Sequence, residues 1–257
     1  MRVSLRQAFA YKLDFIFTLI LGLLVSLVMI FVWYAVYANS GVSSIGGLSL
    51  NAMYVYFFMV NALSFITYNA AVAQTMQEDV QTGAVSTAMA RPIGYNTNLF
   101  LNSLSVAIVG GLTVTLPMLL IAIVLSHTAV SPAALGLLLI EVLLSFAITT
   151  CIGYVIGTLS IYFVNIWGII NLTGFVYYFL GGSLAPLSLF PKWLANILML
   201  LPSQLMMYTP AATLLGIIPM DEIIREIAVG AVWLAALVLF TLLWLRRISR
   251  RVVAVGG

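Results

Sequence analysis

The chain has 257 residues, 63% of them hydrophobic and only 7% charged, far below the roughly 25% charged of an average soluble domain. Ten basic and seven acidic residues leave a net charge of +3 and a pI near 9.1. Apolar runs of membrane-spanning length recur between short charged segments, which identifies an integral membrane protein and excludes a soluble domain of useful size. The basic residues cluster near the two ends, where membrane orientation accounts for them without nucleic acid.

Residues 2 to 14, RVSLRQAFAYKLD, place Arg2, Arg6 and Lys12 at mostly helical spacing beside an apolar stripe of Leu5, Ala8, Phe9 and Leu13, with Asp14 closing the segment. The pattern suits a helix lying at the membrane surface, or simply the positive flank of the first span. A first span is expected over about 15–38, too long for a signal peptide and without a clear small-x-small cleavage site. A charge-free Ser/Gly linker, NSGVSSIGGLSL, separates it from a second span over about 51–75.

The polar segment QEDVQTGAVSTAMARPIGYNTNLF follows at 77–100. Residues 78 to 90 have the length for about three helical turns, which Arg91-Pro92 would end because the residue before proline avoids helical backbone. The third span, about 99–126, carries Gly110, Gly111 and Pro117 and is expected to be kinked. His127 falls in a turn, and Ser131-Pro132 reads as an N-cap with proline at the first helical position.

From Val142 to Pro191 no charge occurs. One straight helix of that length would run about 75 Å, against a hydrocarbon core of roughly 30 Å, so the chain must turn back. The turn is expected near LSIYFVNIWG, giving spans over about 133–160 and 165–184. Pro186, Pro191, Pro202, Pro210 and Pro219 then divide 186–219 into pieces too short to cross. A re-entrant helical hairpin is the economical reading, with a single kinked crossing as the alternative. A charged cluster of Asp221, Glu222, Arg225 and Glu226 precedes a last span over about 227–245.

Placing both termini in the cytoplasm puts Arg2, Arg6, Lys12, Arg91, Arg246, Arg247, Arg250 and Arg251 inside and leaves Lys192 and Arg225 outside. Six spans thus satisfy the positive-inside rule, whereas a seventh would strand one basic cluster outside. The hairpin is then external, and 77–95 is cytoplasmic.

Enzyme chemistry finds little footing. Asp14, Asp79 and Asp221 sit at expected interfaces rather than facing each other within spans, and Gly181-Gly182-Ser183 has no histidine partner except His127 in an external turn. The lone Cys151 forms no internal disulfide and no Cys metal cluster, and no metal site is expected. No G-x-x-x-x-G-K-[ST] loop occurs, so an energy source must lie in another polypeptide or an ion gradient. Glu141 stands about nine residues, or roughly 13 Å, into the fourth span. Deep in the bilayer it would lie on a translocation path, binding a cationic substrate group or relaying a proton, or would pair with a polar side chain across the subunit; at headgroup depth it would have no functional role.

AFAYKLDFIFTLI at 8–20, EDVQTGAVSTAMARPIGY at 78–95 and PLSLFPKWLANILMLLPSQLMMYTPAATLLG at 186–216 resemble the ABC-2 type permeases, membrane subunits of ATP-driven exporters. They look most like the bacterial subgroup encoded as two related permeases beside one ATPase. The resemblance implies an all-α membrane fold with an interfacial N-terminal helix, six spans and an external re-entrant hairpin, in the bacterial plasma membrane. It further implies that 77–95 couples to a separate ATPase subunit through Glu78, Asp79, Gly83, Arg91 and Pro92, and that Arg2, Arg6, Lys12 and Asp14 lie on a helix that also touches it. ATP and Mg would bind that partner rather than this chain, which would pair with a second permease, identical or related. The cargo implied is hydrophobic, amphipathic or lipid-linked. Where relatives often carry a basic residue between the acid and the glycine, Val80, Gln81 and Thr82 stand here, and Ser203 follows Pro202 where many carry phenylalanine. A reading of different class, a gradient-driven carrier using Glu141, predicts transport that survives ATP depletion.

Overall fold

The computed structural model describes residues 12–68, 70–84, 94–126, 131–163 and 165–255. Arg2, Arg6, Asn69, Arg91, Pro92 and His127 lie outside the described residues, and of Lys12 and Asp14 only the backbone is described. Helix dominates: α1 (Lys12–Ser40) leads through a two-stranded antiparallel ribbon, β1 (Ser44–Ile45) and β2 (Leu48–Ser49), into α2 (Leu50–Thr67) and α3 (Ala71–Gln81). Then come α4 (Tyr95–Gly110), a π-helical turn (Gly111–Thr115), α5 (Leu116–Ser126) and α6 (Pro132–Thr158). The chain continues through α7 (Trp167–Leu180), α8 (Lys192–Met199), α9 (Tyr208–Leu215) and α10 (Met220–Val255).

Among the described residues, five helical stretches are long and apolar enough to cross a membrane: Ile20–Ser40, Leu50–Thr67, Tyr95–Val124, Pro132–Ile161 and Met220–Ile248. Their exposed leucines, valines and phenylalanines, such as Phe31, Leu112, Leu139 and Phe240, suit a lipid environment in which the backbone is satisfied within each helix. Helix α7 occupies the expected fifth span but has only 14 residues, about 21 Å of helix against a core of about 30 Å.

Local chemistry explains several boundaries. Ser131 caps α6 by accepting from Ala134 N at 3.1 Å, with Pro132 as the first helical residue, as the sequence predicts. The break expected near Pro117 takes the form of the π turn just before it. Proline has no N–H for the carbonyl four residues back, and the widened turn absorbs the missing bond.

The helix expected over 51–75 instead ends at Thr67. Tyr68 is extended, and the carbonyl freed at Thr67 accepts from Thr149 Oγ1 at 3.2 Å, while Thr67 Oγ1 donates to Met206 O at 2.7 Å. Tertiary hydrogen bonds from α6 and the segment before α9 thus compete with continuation of the helix, and α3 starts afresh at Ala71.

The centre of the proline-rich region forms the core. Leu205, Met206, Met207, Tyr208, Ala211 and Ala212 are buried against Met53, Tyr56, Met59 and Leu63 of α2 and Ile148 of α6. Side-chain to backbone bonds fix the segment: Ser145 Oγ donates to Leu205 O at 2.7 Å, and Tyr56 OH donates to Gly182 O at 2.7 Å.

Candidate functional site

Helix α3 carries the first candidate site. Its sequence, AVAQTMQEDVQ, sets Val72, Ala73 and Met76 on one stripe, and all three are buried. Gln74, Glu78 and Gln81 are exposed on the opposite side. The buried stripe packs on α6, where Gly157 permits the approach: a Cβ there would stand 2.9 Å from Met76 Sδ and 3.3 Å from the Cα of Ala73. Polar bonds fix the remaining sides. Tyr95 OH of α4 donates to Asp79 Oδ2 at 3.0 Å, Asn102 Nδ2 donates to Thr75 Oγ1 at 3.1 Å, and Ile166 N donates to Gln77 Oε1 at 3.0 Å.

The far end of α3 closes tightly. Both N and Oγ1 of Thr82 donate to the carbonyl of Glu78, and Gly83 adopts a left-handed φ of +72°, the backbone that glycine accepts without strain. The helix therefore spans 71–81 rather than starting at 78. Threonine and glycine end it well before Arg91-Pro92. Glu78, Asp79 and Gly83 share its last turn and cap, while Arg91 and Pro92 lie outside the described residues. Of the two acids, Asp79 faces inward to Tyr95 and Glu78 is exposed. The outcome is a short helix locked against α4, α6 and the start of α7, with one polar face left over.

The second candidate is a pair of buried carboxylates. Glu141 on α6 is completely buried, and its Oε1 accepts from Thr213 Oγ1 of α9 at 2.8 Å. Its Oε2 has no hydrogen-bond partner. Glu226 on α10 is 2% exposed, yet fully provided for. Its Oε1 accepts from Arg225 Nε and Nη2 at 3.2 and 2.9 Å, and its Oε2 accepts from Gln204 Nε2 at 2.8 Å. Gln204 Oε1 in turn accepts from Thr209 Oγ1.

Both acids therefore hold the same short stretch, 204–213, from two different helices. Sequence reasoning singled out Glu141 but left Glu226 in a superficial charged cluster and missed Gln204, Thr209 and Thr213. Helical spacing held part of the signal: Glu222, Arg225 and Glu226 lie on one side of a helix at i, i+3 and i+4. The hydrogen-bond partners, Gln204 at 22 residues from Glu226 and Thr213 at 72 from Glu141, left no local pattern. Among the described residues no group of three or more His, Cys, Asp or Glu side chains is placed to hold a metal ion.

The sequence model of a family described as "ABC-2 family transporter protein" matches residues 23–256. No curated protein matches the chain.

Proposed function

The chain belongs to the ABC-2 transporter family and is a transmembrane permease of an ABC-type transporter, and on that premise we propose that α3 is the element through which a separate ATPase subunit drives it. The observation that supports this most directly is the mounting of α3: buried on one stripe against α6, hydrogen-bonded from α4 and from the start of α7, and polar on its exposed side. A lever must move as a unit with the spans it pushes, because coupling requires an element with discrete positions rather than a tether. Glu78, with Gln74 and Gln81 beside it, forms the face offered to the partner. Asp79 and Gly83 shape the helix and its end, and Arg91 and Pro92 belong to the same cytoplasmic segment by sequence.

In the full assembly two permeases, identical or paired, stand on two ATPase subunits that bind ATP and Mg. Six crossings place both termini in the cytoplasm of a bacterium, with α7 and the residues after it completing the fifth and 186–219 forming an external re-entrant hairpin. Arg2, Arg6, Lys12 and Asp14 lie on the cytoplasmic surface, where they add to the ATPase contact. The cargo is exported, and it is hydrophobic, amphipathic or lipid-linked. Affinity purification of the tagged permease co-expressed with a candidate ABC ATPase subunit from the same organism tests the assignment. Retention of the ATPase and a permease-dependent rise in ATP turnover are expected; a permease that retains no ATPase and leaves turnover unchanged would refute it.

A further inference from the structure

Two acids on neighbouring helices are buried to nearly the same degree and treated differently. Helices α6 and α10 run parallel: Leu144 approaches Gly230, Thr241 Oγ1 donates to Cys151 O at 3.3 Å, and Trp244 Nε1 donates to Thr158 Oγ1 at 2.8 Å. In that register Glu226 lies within about a turn of the level of Glu141. Arg225 and Gln204 supply donors to both oxygens of Glu226. Glu141 receives one neutral hydroxyl and nothing else.

Among the described residues, the neighbouring elements offer Glu141 no cation. The titratable groups on the elements packed against α6 are tyrosines of α2, α4 and α9, Glu78 and Asp79 of α3 near the opposite end of α6, and the charged head of α10. Arg225 is the positive charge in that head, and it is engaged by Glu222 and Glu226. Arg246 and Arg247 lie five to six turns further along α10. A buried carboxylate without a paired charge is strongly disfavoured, and the disadvantage falls away when a positive charge arrives on the uncompensated oxygen.

We propose that Glu141 anchors a site for one exchangeable monovalent cation, a proton or an alkali ion, bound at Oε2 between α6 and α9. One carboxylate and one hydroxyl match a single charge, and no second acid points at the site to call for a divalent ion. Because Thr213 of α9 donates to the other oxygen, occupancy fastens α9 to α6, and with it the core segment 204–213. The inference rests on burial and hydrogen bonding within this chain and holds whether or not α3 docks an ATPase.

Infrared difference spectra and thermal unfolding of the purified full chain in nanodiscs test it. With a proton as occupant, the wild type shows the carbonyl band of a protonated carboxyl in sodium- and potassium-free buffer, and Glu141→Gln loses that band. With an alkali ion as occupant, sodium or potassium chloride raises the unfolding midpoint at constant ionic strength, and Glu141→Gln loses that rise. Thr213→Val keeps the carboxyl but removes its donor. It is expected to shift the band to higher frequency in the first case and to weaken the cation response several-fold in the second, and it serves alone if Glu141→Gln fails to fold. Identical band and identical salt response in the wild type and in whichever variants fold would overturn the proposal.

Discussion

Replacing Gly157 with leucine is expected to push α3 away from α6. A Cβ at this position would lie 2.9 Å from Met76 Sδ, 3.1 Å from Met76 Cβ and 3.3 Å from the Cα of Ala73. The thioether end of methionine swings aside easily, whereas the Ala73 Cα moves only if the whole helix moves. Gly157→Ala recovers ~1 kcal/mol of helix propensity but meets an overpacking cost of ~1–3 kcal/mol, for a net loss of about 1 kcal/mol. Leucine adds three more carbons to the same gap with no further gain in propensity, so Gly157→Leu is expected to cost at least ~3 kcal/mol and to displace α3. Tryptophan fluorescence during thermal unfolding in detergent reads the stability. ATP turnover of the reconstituted complex reads the coupling. Gly157→Leu should lower both, and Gly157→Ala should lower stability slightly. A leucine variant that unfolds at the wild-type temperature and stimulates the ATPase fully would refute the packing of α3 on α6 as the stiff joint.

Tyr56→Phe removes the 2.7 Å bond to Gly182 O in a fully buried setting and should cost ~1–3 kcal/mol. Because it lies in the N-terminal half of α2, away from α3, the same unfolding scan should fall while coupling per folded molecule stays constant. Arg225→Gln strips the cation from buried Glu226. Breaking a buried pair costs ~3–5 kcal/mol, but the Arg225 side chain is 62% exposed, so a loss of about 1–2 kcal/mol is expected. Adding Glu226→Gln to that variant should restore most of it, and a double-mutant cycle in the same scan without that recovery would deny the pairing.

The apolar runs and the Ser131-Pro132 start of α6 were legible because both are local: one is composition, the other a cap made within four residues. The polarity of 77–81 was equally plain, and with it the site of the exposed acid Glu78. The extent of α3 was not. Its beginning depends on the bonds of Thr67 to Thr149 and Met206, and its end on Thr82 donating to the Glu78 carbonyl and on Gly83, so neither follows from the Arg-Pro pair expected to end it. Glu141 was visible as an ionisable residue in an apolar run, but two depths fitted equally well. Complete burial beside Thr213 distinguishes it from a surface acid. Glu226 shows the converse: a sequence neighbourhood rich in charge concealed a side chain that turns inward to Gln204.

The docking of α3 is tested most directly at Glu78, which is exposed and whose backbone carbonyl, not its side chain, accepts the bonds from Thr82 that close the helix. Glu78→Lys in the tagged permease, co-expressed with the ATPase, is expected to unfold at the wild-type temperature while losing most of the co-purified ATPase and the stimulated ATP turnover. A Glu78→Lys complex that forms and turns over ATP like the wild type would contradict the account.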